Sequence, residues 1–191
     1  MTRAELKSAA KEQIKGKIGL YFIMTLIVFA IALACNFVPY YVGTVVTFVI
    51  TPAFSLSLCM FFLKLTKGEE TSVGDLFAGF SKTGRALWLN ILISVFTFLW
   101  SLLLFIPGII KKYAYSMSFY VLADNPELTS SEALAKSQKI MQGHKMELFV
   151  LDLSFILWYL AIVFTFGLAA IYVAPYIEAT KANFYNSIKE A

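Results

Sequence analysis

The chain has 191 residues, 59% hydrophobic and only 15% charged, with a formal net charge of +4 and a mean hydropathy of +0.74. A soluble domain carries about a quarter charged residues, so most of this surface faces something other than water. A soluble helical bundle is a poor fit, and an all-α, polytopic integral membrane bundle is expected.

Four stretches lack Asp, Glu, Lys and Arg: Ile18–Leu63, Ala86–Ile110, Tyr113–Ala123 and Leu153–Ile177. A helix needs about 20 apolar residues to cross ~30 Å of hydrocarbon, and the first stretch is long enough for two crossings. About six transmembrane helices in three hairpins are expected, joined by short interfacial amphipathic helices.

Residues 1–17 read as an amphipathic surface helix. Thr2 and Glu5 form a capping box, and Arg3, Lys7, Lys11 and Lys15 follow at i+4 spacing as one cationic stripe. Such a stripe suits anionic headgroups, gaining about 1 kcal/mol per cation near the surface. These four residues, with Lys111 and Lys112, are the candidate headgroup contacts.

Hairpin one is expected over 18–65, with spans Ile18–Phe37 and Tyr41–Leu65, a turn near 38–42 and Pro52 inside the second span. The run ending Ala32-Leu33-Ala34-Cys35 resembles a signal peptide. Its apolar run continues past Cys35, and Ala32 stands where a lipobox wants Leu, so an uncleaved span is expected. Residues 66–85 form a cytoplasmic linker with a short helix around Ser72–Phe80. Hairpin two covers 86–123, turning at Pro107-Gly108, and a second linker helix lies in 124–145, opened by the Thr129–Glu132 capping box. Hairpin three covers 146–191, with the fifth span Met146–Thr165 and a more polar sixth segment.

An internal repeat supports this division. Thr71-Ser72, Leu76, Ser81-Lys82 and Gly84-Arg85 lead into an apolar run, as do Thr129-Ser130, Leu134, Ser137, Lys139 and Gly143-His144. With the N-terminus inside, all three long polar segments and most cations fall on the cytoplasmic side. That is the positive-inside pattern. It places both termini in the cytoplasm of a cell membrane and leaves only short outer turns.

The catalytic inventory is thin. His144 is the only histidine, and no GxSxG, HExxH, Walker-type or GxGxxG pattern appears. Cys35 and Cys59 lack CxxC or Cys/His spacing. No enzyme, metal, cofactor or nucleic-acid partner is expected. Intramembrane polar residues are more informative, because they are costly and tend to face the bundle interior. Asp152, Glu178 and Lys181 are the candidates, with Glu178 and Lys181 paired to each other or with Asp152. They act as glue between helices, or they line a polar cavity.

Several runs in the second half resemble a bacterial membrane family. They include Phe105-Ile-Pro-Gly-Ile109, Tyr115-Ser-Met-Ser118, Asp124-Asn-Pro126, Glu132-Ala-Leu134, Trp158, Pro175-Tyr176 and Phe184-Tyr185. Arg3, Glu5, Leu6 and Lys7 fit the family's opening. It is the one numbered 975 among domains of unknown function, common in Gram-positive bacteria, and it is distantly similar to the membrane domain of some glycerophosphodiester phosphodiesterases. The resemblance implies a multi-helix membrane module with a lipid-related context and no catalytic residues. The expected function is a non-enzymatic scaffold or binding module for membrane lipids, another membrane protein or a peptide. The alternative is a small transporter or antimicrobial-peptide resistance protein.

Overall fold

The computed structural model describes residues 2–37, 39–103 and 105–189, and these contain helix and turn with no strand. Val38, within the first expected turn, lies outside the described residues, as do Met1, Leu104, Glu190 and Ala191.

The helices are α1 (Arg3–Ile14), α2 (Ile18–Ala34), α3 (Tyr40–Thr66), α4 (Thr83–Leu103), α5 (Phe105–Tyr115), α6 (Ser118–Asp124), α7 (Ser130–Ile140), α8 (Lys145–Leu153), α9 (Ile156–Phe164) and α10 (Ala170–Ile188). Short 3₁₀ segments occupy Cys35–Phe37 and Val73–Lys82.

Three capping boxes start the three short polar helices. Thr2 pairs with Glu5, Ser72 with Asp75, and Thr129 with Glu132. Each box satisfies free amides at a helix start, where no intrahelical partner exists. The same offset from the capping threonine brings α1 to Gly16 (φ +79°) and α7 to Gly143 (φ +85°). A left-handed residue there ends the helix and redirects the chain into the next apolar segment.

The three short helices repeat one packing relation. Val73–Lys82 lies on α3, α7 lies on α6, and α1 lies on α10, far away in sequence. Leu6, Ala10 and Ile14 of α1 are buried, as are Ala133, Leu134, Ser137 and Met141 beneath α7. The apolar stripe of α1 is thus used inside the fold, and its polar side faces out. The core gathers where α3, α6 and α10 meet, around Leu56, Phe61, Phe62, Tyr120, Val121, Leu122, Tyr176 and Tyr185.

The rest is apolar outside. In α9 no residue is buried, and in α2 only Met24 is. By length and composition, four helical stretches could cross a membrane: Ile18–Phe37, Tyr40–Thr66, Val73–Leu102 and Lys145–Phe164.

Several boundaries differ from expectation. Pro107-Gly108, expected as the turn, instead fall in the first turn of α5, where proline's missing N–H has no partner to lose. Gly108 lies against Ser101, so the two arms approach closely. The fourth and fifth expected spans are each interrupted, between α5 and α6 at Ser116-Met117 and between α8 and α9 at Ser154-Phe155.

Candidate ligand-binding site

Both interruptions leave a carbonyl without its helical donor, and a short helix supplies one each time. The Ser137 hydroxyl of α7 donates to the carbonyl of Ala114 at 2.9 Å. Lys7 Nζ of α1 donates to the carbonyl of Ser154 at 3.1 Å and lies 4.2 Å from the centre of the Phe155 ring. Trp158 N–H bonds back to Phe155 rather than Ser154, which frees that oxygen for Lys7.

A cavity of about 330 Å³ opens beside these interruptions, between α5, α8, α9 and α10. Lys112, Ser116, Asp152, Tyr159 and Lys181 line it, with Tyr113, Met117 and Leu148. Tyr113 donates its hydroxyl to Asp152 Oδ2 at 3.3 Å. Lys181 Nζ stands 3.9 Å from Asp152 Oδ1, an ion-pair distance that is too long for a hydrogen bond. Oδ1 itself accepts no hydrogen bond among the described residues. The walls therefore carry two ammonium groups against one carboxylate. The chemistry on offer is capture of a group with net negative charge, with hydroxyls beside it.

Glu178 lies elsewhere. Its Oε2 accepts a hydrogen bond from the Tyr120 hydroxyl at 3.1 Å, and it lines neither this cavity nor a contact with Lys181. Of the expected partners, Lys181 therefore takes Asp152, while Glu178 takes a tyrosine.

The headgroup candidates divide. Arg3, Lys11 and Lys15 have exposed side chains, with Lys11 Nζ 5.7 Å from the Tyr176 ring centre. Lys7 is turned inward to Ser154 and Phe155. Burial, with Arg3 and Lys11 nearby, holds its ammonium below the ordinary lysine value. Lys111 sits over the Trp100 ring at 4.8 Å, and Lys112 faces the cavity.

A charged node escaped the sequence reading. Asp124, at the end of α6, meets Lys67 at 3.3 Å, Lys189 at 3.1 Å and the Tyr185 hydroxyl at 3.2 Å. It ties together the ends of α3, α6 and α10. Burial alone would raise its pKa, but Lys189 and Lys67 outweigh burial and hold the carboxyl below the usual aspartate value. The only sequence signal was an aspartate just after an apolar run. Nothing in the sequence named its partners.

The family described as "Protein of unknown function (DUF975)" matches residues 1–110 and 102–191. No curated protein and no solved structure matches the chain.

Proposed function

Because the chain belongs to the DUF975 family, whose function is unknown, we propose that it is a non-enzymatic binding module of the bacterial cytoplasmic membrane. It crosses six times as three hairpins, α2 with α3, α4 with α5–α6, and α8–α9 with α10, and both termini are cytoplasmic. Exposed apolar side chains on α2, α4 and α9 support the membrane reading, and the cation asymmetry supports the orientation. Segments α5–α6 and α10 cross because hairpin geometry returns each to the side it started from.

The ligand is a membrane amphiphile with an anionic group. The observation that carries this is the cavity in which Lys112 and Lys181 face the single carboxylate of Asp152. Ammonium groups at membrane depth are costly unless they meet an anion, and the cavity leaves one charge of the three uncompensated.

Mass spectrometry of lipids co-purified with the full-length protein tests the binding. An anionic amphiphile should be retained by the native protein and depleted in Lys112→Gln/Lys181→Gln. Equal retention overturns the site. For topology, an impermeant thiol reagent on intact cells should label a cysteine at Phe166 and spare cysteines at Gly68 and Gln142; reaction at either of the latter defeats the scheme.

One observation favours transport as a second reading: two interrupted helices border the same polar cavity. Interrupted helices build the sites of many transporters. Ligand flux through proteoliposomes, abolished by Asp152→Asn, would favour it over static binding.

A further inference from the structure

A second cavity, of about 600 Å³, lies where α1 crosses α8 and α10. Its floor is apolar, formed by Leu6, Val150, Leu151, Phe184 and Ile188. At its mouth stand Arg3 and His144. Glu147 lines the same cavity and is paired with His144 Nδ1 at 2.9 Å, and the neighbouring Glu5 accepts from the Thr2 amide at 2.9 Å, so neither carboxylate is paired with Arg3. Arg3 makes no ion pair among the described residues.

Met146 lines the groove and, with Phe149 and Leu153 beside it, forms an exposed apolar strip, with exposures of 67%, 41% and 52%. These residues lie on α8, which shares Val150 and Leu151 with the floor, so the groove and the outward strip are continuous. A cation above an apolar slot that merges with an apolar strip matches one molecule in shape and charge. We propose that this groove holds a single anionic phospholipid of the inner leaflet, with its phosphate at Arg3 and the start of an acyl chain over Val150 and Phe184. The proposal rests on the membrane reading above but uses none of the residues of the Asp152 cavity. It also gives α1 a task beyond covering α10: it completes one wall of a lipid site.

The test uses the full-length protein in nanodiscs doped with phosphatidylglycerol that carries a photoreactive group near the top of one acyl chain. Crosslinks are expected on the peptides holding Val150-Leu151 and Phe184–Ile188. Arg3→Gln, an exposed substitution that leaves the core untouched, should lower them about fivefold, in line with roughly 1 kcal/mol per cation at a membrane surface. Ser187→Trp, which fills the groove from α10 without altering charge, should abolish them. Lys112→Gln should leave them unchanged, so failure here and failure of the Asp152 site are separable. These results overturn the proposal: labels confined to Phe149 and Leu153; equal labelling by a phosphatidylcholine probe; insensitivity to both variants; or a bound peptide found in place of lipid. Displacement by millimolar inorganic phosphate with no acyl crosslink assigns the groove to a soluble anion and overturns the lipid.

Discussion

Lys7, near the start of the chain, donates its ammonium to the carbonyl of Ser154 at 3.1 Å. The contact joins the first short helix to the interruption beside Asp152, so the cationic stripe of α1 serves two environments. Lys7 faces the fold; Arg3, Lys11 and Lys15 face outward.

Lys7→Met keeps the alkyl stem and removes the donor, leaving the Ser154 oxygen unpartnered. A hydrogen bond from a charged group to a partly buried carbonyl contributes about 1–2 kcal/mol. Lys7→Met should lower thermal stability and speed amide exchange at Trp158 and Tyr159. Lys15→Met should do neither. Equal behaviour of the two variants would contradict the contact.

Tyr120 and Glu178 should show coupling in a double-mutant cycle, because the phenol donates to the carboxyl at 3.1 Å. About 0.6–2 kcal/mol is expected for Tyr120→Phe with Glu178→Leu, which removes the acceptor. Pairing Glu178→Gln with Lys181→Met should give additive effects, since Lys181 turns to Asp152 instead. Coupling in the second cycle and its absence in the first would reverse the assignment.

Asp124 carries part of the pH dependence, beside Asp75 and Glu132, whose carboxyls are also held below their ordinary values by Lys64 and by the Thr129 cap. The pKa of Asp124 in the folded chain lies below the ordinary aspartate value, so its contribution is complete above the unfolded value and disappears as pH falls through the folded one. Stability should therefore be flat from neutrality down to about pH 5 and drop below about pH 4. In Asp124→Asn part of that acid-side loss should vanish, with about 1 kcal/mol already missing at pH 7. Unfolding followed by circular dichroism at pH 7 and pH 3.5 reads both effects.

Gly79 packs the Val73–Lys82 segment onto α3. A Cβ there would fall on the Ala53 carbonyl and 2.8 Å from the Ser57 amide nitrogen, and neither backbone atom can yield without moving the helix. The Gly79 N–H also donates to Ser57 Oγ at 2.9 Å. Gly79→Ala should cost about 1–3 kcal/mol, while Gly84→Ala, which meets open space, should be neutral or stabilising. Similar losses from both substitutions would mean the segment is not held there.

Features written in consecutive residues were legible in the sequence. Charge-free runs and capping boxes marked the helices and several of their starts, because each depends on neighbours within a few positions. Asp152 and Lys181 could be named as candidates because ionisable groups in apolar runs stand out. Their partners could not, because which faces of α5, α8 and α10 meet is decided by packing between distant segments. The same holds for Glu178 with Tyr120, for Asp124 between Lys67 and Lys189, and for the inward turn of Lys7. The interruptions at Ser116 and Ser154 also needed the tertiary structure. Neither carries a proline or glycine to announce it, and the broken ladder is tolerated because Ser137 and Lys7 arrive from other helices to bond the freed carbonyls.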